Sequence, residues 1–224
     1  KAMKIAAHML ETAETDMEFA EGQFTVAGTD RSISLQDVAK ESYKPGKMPD
    51  DVEPGLSALQ TFETSAENFP NGCHVCEVEI DEETGVLDIV NYNVVDDVGT
   101  VLNPLTLKGQ IQGGVAHGVG QALLEEIVFD EGSGQLVTGS FMDYAMPRAD
   151  NMSYVEVQSN PCPTATNPLG CKGAGEAGTV GAVPCVMNAV VDALSVYGVR
   201  HMDMPATPGR IWQTIQDAKK GQAA

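Results

Sequence analysis

Basic residues are scarce in this chain. Thirteen Lys and Arg stand against 32 Asp and Glu in 224 residues, for a formal net charge of −19 at pH 7. Such a surface repels phosphate backbones, which argues against a nucleic-acid partner. No unbroken apolar run approaches the roughly 20 residues of a membrane-spanning helix, so no membrane span is expected. Paired cysteines are missing too. Cys73, Cys76, Cys162, Cys171 and Cys185 are odd in number and irregular in spacing, unlike a disulfide framework. Reduced thiols in a cytoplasmic protein are the expectation. Cys73-His74-Val75-Cys76 looks like half a metal site, but no second Cys or His pair answers it at zinc-finger spacing. On a strand, positions 73 and 76 would also face opposite ways. No metal ligand is assigned.

What is present reads as a globular mixture of helices and strands. The chain is 42% hydrophobic and 20% charged, which excludes global disorder. Ile5, Met9, Leu10, Ala13 and Met17 fall at helical spacing, predicting a helix over 3–20 that Gly22 ends. Gln23 to Ala27 reads as a short strand, and Ser34 as the cap of a helix whose apolar face begins at Val38. Pro45, Gly46, Pro49, Pro54 and Gly55 mark a loop or linker over 44–56. Residues 72–80 and 86–95 alternate around a turn at 81–85 and predict a hairpin. Asn103-Pro104 opens a helix to about 126. A second hairpin is expected from 127–129 and 136–140, and a strand over 154–158. A long loop over 159–178 then leads to a helix starting at Pro184, and Pro208 to Ala218 forms the last helix. The sum is α+β, divided into a helical and linker segment over 1–56 and an α+β region over 57–224.

Two stretches break local rules. In the first, Ile111, Val115, Val119 and Leu123 are four apart, as in a helix. Yet Gly113, Gly114, Gly118 and Gly120 lie inside it and cost about 1 kcal/mol each relative to Ala. Either another backbone or a large ligand comes close enough to offset that cost. The second stretch runs from Asn167 to Gly178. Its residues 173–178 satisfy G-x-G-x-x-G, but a Pro-rich loop precedes them where a dinucleotide fold needs a strand. What remains is flexible backbone presenting Lys172 and Glu176 near a helix start. The carboxylate of Glu176 could be a general base, a partner of Lys172 or an N-terminal helix charge.

Taken in order, the motifs resemble a known family. They are Gln110-Ile111-Gln112-Gly113-Gly114, Phe141-Met142-Asp143-Tyr144-Ala145-Met146-Pro147-Arg148 and Lys172-Gly173-Ala174-Gly175-Glu176-Ala177-Gly178. Phe69-Pro70-Asn71-Gly72-Cys73-His74, Asp96-Asp97-Val98-Gly99 and His201-Met202-Asp203-Met204-Pro205 also fit. Together they resemble the C-terminal part of the molybdopterin-binding large subunit of the xanthine oxidase and aerobic carbon monoxide dehydrogenase-like hydroxylases. His117 stands where that family often has glutamine, and Cys171 where it often has a small apolar residue.

The resemblance implies a molybdenum–molybdopterin cytosine dinucleotide cofactor. It implies that Gln110, Gly113, Gly114, Lys172, Gly173, Ala174 and Gly175 contact it. Glu176 would be the catalytic base, activating a water-derived oxygen that attacks an electrophilic carbon of an N-heteroaromatic or aldehyde substrate. Electrons would leave through 2Fe-2S clusters to FAD on partner subunits. The chain opens at Lys1-Ala2-Met3-Lys4 without an initiator Met, and the upstream cofactor loops of the family are not in it. The expectation is a piece of a catalytic subunit, split or processed, that assembles with the rest of the large subunit, an iron–sulfur subunit and an FAD subunit. A non-catalytic scaffold that keeps the fold is the alternative. A hydrolase built on Glu176 lacks a nucleophile motif.

Overall fold

A computed structural model describes every residue except Pro45, Lys47, Ser65, Ala223 and Ala224, and leaves the Gln222 side chain aside. The predicted loop residue Pro45 therefore lies outside the described residues. The chain forms two compact units, Lys1–Glu63 and Thr64–Ala224. The division falls seven residues after the boundary expected from composition.

The first unit is not simply helical. Helix α1 (Ala2–Met9) is much shorter than the predicted 3–20, because Glu11 takes a left-handed conformation (φ 49°) and reverses the chain. Met17 then joins a strand instead of a helix face. Strands β1 (Met17–Ala20), β2 (Gln23–Val26) and β3 (Ser32–Ser34) form an antiparallel sheet, with Met17 opposite Val26 and Phe19 opposite Phe24. The alternation of Met17, Phe24 and Val26 into the core decides this against the helical spacing. Helix α2 (Leu35–Glu41) starts as predicted, with the Ser34 hydroxyl oxygen accepting the Asp37 amide N–H. Its Val38 is fully buried beside Ile5, Ala6, Phe24 and Met48.

The second unit is built on the predicted hairpin. Strands β4 (Asn71–Ile80) and β5 (Leu87–Asp97) pair antiparallel, and β6 (Val155–Ser159) adds in parallel to β5. The register shifts between Glu77 and Val78, which leaves Val90 as the extra residue of a bulge. That bulge turns Ile89 and Tyr92, three apart, to the same inner face, followed by Val94 and Asp96.

Helices α3 (Pro104–Leu123) and α4 (Ala177–Leu194) cover the inner face, joined at one side by α5 (Pro208–Gln222). The four-residue spacing read from the sequence is the core face of α3: Ile111, Val115 and Val119 are fully buried against Tyr92, Val186 and Val190. Asn103 caps α3 by accepting the Leu105 and Thr106 amides.

Two further expectations fail. Helix α4 begins at Ala177, so Pro184 sits inside it rather than in its first turn. A proline removes one amide donor there, and the surrounding core packing holds the helix together. Residues 127–140 form a turn around Asp130 with a single bridge, Phe129 to Leu136, rather than two strands. Ile127, Phe129 and Val137 are exposed there, with no burial to reward regular pairing. Ala177–Tyr197 is long and apolar enough to cross a membrane by length and composition alone, a test that the core helix of a water-soluble protein also passes. Small and polar residues interrupt it, so no unbroken apolar run is visible in the sequence. Its Ala182, Val186, Val190 and Leu194 are buried in the core of the unit.

Candidate active site

Helices α3 and α4 approach closely enough at three glycines, Gly114, Gly118 and Gly178, to leave no room for a side chain there. A Cβ on Gly178 would lie well under 3.0 Å from the Ile111 carbonyl oxygen. One on Gly118 would meet the Ala182 side chain, and one on Gly114 the Thr179 amide and the Gly178 backbone. The Thr179 hydroxyl donates to the Gly114 carbonyl oxygen at 3.1 Å and pins the first turn of α4. Helix packing therefore accounts for Gly114 and Gly118. Gly114, expected at the cofactor, is buried in this seam. Gly113 is different: a Cβ there would meet nothing within 4 Å.

Gln110 and Gln112 are set apart by the helix turn. The Gln112 amide donates to the Val155 carbonyl oxygen at 3.0 Å, tying α3 to β6. Gln110 is exposed and lines a cavity of about 250 Å³ with Asn103, Leu107, Cys171, Lys172 and Ala174. The loop then crosses from this cavity to a second one of about 350 Å³. There Glu176 lies with Phe69, Asn71, His74, Asp96 and Val180. Glu176 is exposed and is the residue just before α4, at its N-cap position. It has no ion-pair partner among the described residues, so the pairing with Lys172 weighed from the sequence is not made.

Lys172 instead donates to Asp97 Oδ2 at 2.6 Å, with the two side chains only 11% and 16% exposed. Asp97 Oδ1 accepts the Gly99 amide at 2.8 Å and the Cys162 amide at 2.9 Å. The Lys172 ammonium, reinforced by those two amides, holds the Asp97 carboxyl down at about 2. The backbone is laced in parallel: the Lys172 amide donates to the Val98 carbonyl, and the Thr100 amide to Gly170. Gly99 and Gly170 are both left-handed, and a Cβ on Gly99 would overlap the Gly170 carbonyl oxygen. Gly173 and Gly175, by contrast, have open space where a side chain would be.

The second cavity holds residues to which the sequence gave no role. His74 and Asp96 are 5% and 2% exposed, with His74 Nε2 3.6 Å from Asp96 Oδ1 and Nδ1 2.9 Å from the Tyr92 hydroxyl. Asp96 Oδ2 is buried without a partner. Gly181 makes room for the His74 ring. Cys73 and Cys76 do not form the half metal site suggested by their spacing. Cys73 is exposed, while Cys76 packs on the core, where burial pushes its thiol up to about 12 and keeps it protonated. The adjacent acids Asp96-Asp97 closing a β-branched strand were a readable signal, but their opposite destinations were not.

Gly113, Gly173 and Gly175 test the fit of a large group. None has the positive φ that would require glycine, and none is crowded by this chain. Their cost has no return inside the described residues, and a bulky ligand lying against the backbone would supply one. With the exposed amide of Gln110 beside them, these residues fit such a group.

The chain also matches known proteins. Residues 1–153 match the molybdopterin cofactor-binding domain. The chain is 36% identical over 218 residues to the carbon monoxide dehydrogenase large chain of Hydrogenophaga pseudoflava, covering 97% of this chain and 27% of that one. It is 38% identical over 213 residues to the nicotine 6-hydroxylase large subunit of Paenarthrobacter nicotinovorans, covering 94% and 26%. Among solved structures, a Cu,Mo-containing CO dehydrogenase superposes with a TM-score of 0.88 at 35% identity, covering 97% of this chain and 27% of that one. Quinoline 2-oxidoreductase from Pseudomonas putida 86 gives 0.86 at 34% identity, covering 96% and 28%. The chain spans about a quarter of the length of these relatives.

Proposed function

The chain belongs to the molybdopterin cofactor-binding domain family of the xanthine oxidase-type molybdenum hydroxylase large subunits, and on that premise we propose that it carries the catalytic base of such an enzyme. The reaction is hydroxylation of an electrophilic carbon, in an N-heteroaromatic or aldehyde substrate, with oxygen from water. One observation carries the reading. The loop anchored at Lys172 runs from the cavity it shares with Gln110 to the one that Glu176 lines, with two uncrowded glycines between Lys172 and this carboxylate, which has no ion-pair partner among the described residues.

Gln110 and the backbone of Lys172, Gly173, Ala174 and Gly175 would hold the cofactor, beside the open Gly113. When bound, the cofactor supplies a Lewis-acidic metal and a two-electron sink. Glu176 takes up one proton at its carboxylate as the substrate carbon is attacked. Its exposure in this chain leaves the exclusion of water to the rest of the large subunit.

The cytosine dinucleotide form of the cofactor, partner subunits bearing 2Fe-2S clusters and FAD, and a cytoplasmic location complete the proposal. The test is composition of the natively purified complex. Molybdenum near one per large subunit, cytidine nucleotide released on acid hydrolysis, and co-purifying iron–sulfur and flavin chains are expected. A complex without molybdenum would leave the scaffold reading.

A further inference from the structure

The segment that carries Glu176 has no helix or strand between Ser159 and Ala177. Its conformation depends on where it is tied. Both ends of its irregular part return to one carboxylate, since Asp97 takes the Cys162 amide at the start and the Lys172 ammonium near the end. Six residues after Lys172, the chain is fixed again at the seam, where Gly178 meets Ile111 and Thr179 meets Gly114. Between these anchors lie Gly173, Ala174 and Gly175. Two glycines in three residues give that span wide conformational freedom, and neither has a neighbour where a side chain would be.

We propose that Asp97 and Lys172 form a latch that sets the position of the Gly173–Glu176 segment, making both of them positioning residues for the base. Lys172 thus serves through its backbone and its bond to Asp97, not by presenting its ammonium to an anionic ligand. Three features support this. The ion pair is mostly buried, Asp97 is itself held by two backbone amides, and the Lys172 amide is bonded to Val98 on the same strand end. The depressed Asp97 carboxyl keeps the latch charged at any working pH, so it is a fixed strut rather than a switch.

The inference rests on the reading of Glu176 as base, and the test separates the two. In the assembled holoenzyme, Asp97→Asn and Lys172→Met are compared with the double variant and with Glu176→Gln. Each single variant is expected to lower kcat about 10–100-fold, with KM and molybdenum content unchanged. The double variant should be no slower than the worse single one, since both remove the same bond. Amide hydrogen exchange at 171–175 should rise in both, while 111–119 in α3 stays protected. Wild-type kcat and exchange in Lys172→Met, which leaves the amide bonds of Asp97 intact, would overturn the latch. So would loss of molybdenum in Lys172→Met but not in Asp97→Asn, because that pattern makes the ammonium a cofactor contact. If Asp97→Asn does not assemble, Lys172→Met decides alone. Full activity in Glu176→Gln would overturn the base assignment, whereas the exchange readout would still report on the latch.

Discussion

The α3–α4 seam and the Gly173–Glu176 loop are both glycine-rich, and their glycines do opposite things. In the seam, Gly114, Gly118 and Gly178 are crowded by backbone and side chains of this chain. In the loop, Gly173 and Gly175 face open space, as does Gly113 on the far side of α3. The helix propensity lost in the seam is offset by close packing inside the fold. The freedom of the loop has no such return, which points to a binding partner outside the described residues. The comparison teaches that glycine content by itself does not mark a site. In the seam the crowded glycines serve packing, and beside the two cavities the uncrowded ones leave backbone free for contact.

Breaking the loop side of the comparison should give the largest effect. Glu176→Gln keeps size and reach but cannot accept a proton at neutral pH. Turnover per bound molybdenum should fall about 10²–10⁴-fold while cofactor content and melting temperature stay near wild type. A near-wild-type reductive half-reaction rate would reduce Glu176 to the N-cap residue of α4.

Next is the pair on α3. Gln110→Ala should weaken cofactor retention by about 1.5–3 kcal/mol, as expected for a lost hydrogen bond to a charged group. Gln112→Ala instead breaks the bond to Val155 and should show as reduced stability with the cofactor kept. Identical molybdenum loading in the two variants would remove the distinction between the helix faces.

A matched alanine pair sharpens the contrast itself. Gly178→Ala drives a Cβ into the Ile111 carbonyl and should destabilise the protein by about 1–3 kcal/mol. Gly175→Ala has open space and should shift stability by less than about 1 kcal/mol while lowering cofactor content. Thermal melting and metal analysis of both variants read the two effects separately, and a large melting loss in Gly175→Ala would refute the contrast.

The smallest effect lies at acid pH. The folded protein lowers the Asp97 carboxyl from 3.8 to about 2, so its contribution to stability is complete above pH 3.8 and is lost as pH falls through 2. The denaturation-midpoint gap between wild type and Asp97→Asn should therefore close over that interval. A gap that persisted unchanged below pH 2 would show that the pair acts through shape rather than charge.

Several features were determined by the sequence alone because they depend on local chemistry. The β4–β5 hairpin follows from alternation around a turn. The caps at Ser34 and Asn103 follow from side chains that can accept amide hydrogens. The buried face of α3 follows from its four-residue spacing. The ordered motifs were also enough to identify the family.

Other features were settled only by tertiary contacts. Residues 17–20 have helical spacing, yet they join a strand because β2 offers Phe24 and Val26 a shared core. Pro184 lies inside a helix because packing on both sides outweighs its local preference. Gly113 and Gly114 are neighbours in sequence with opposite surroundings, since a helix turns by about 100° per residue. Asp97 and Lys172 are 75 positions apart, and no spacing rule links them. Their pairing depends on where β5 ends and where the long loop returns. Local chemistry can propose a base at Glu176, but only the folded chain shows which strand end ties the loop that carries it.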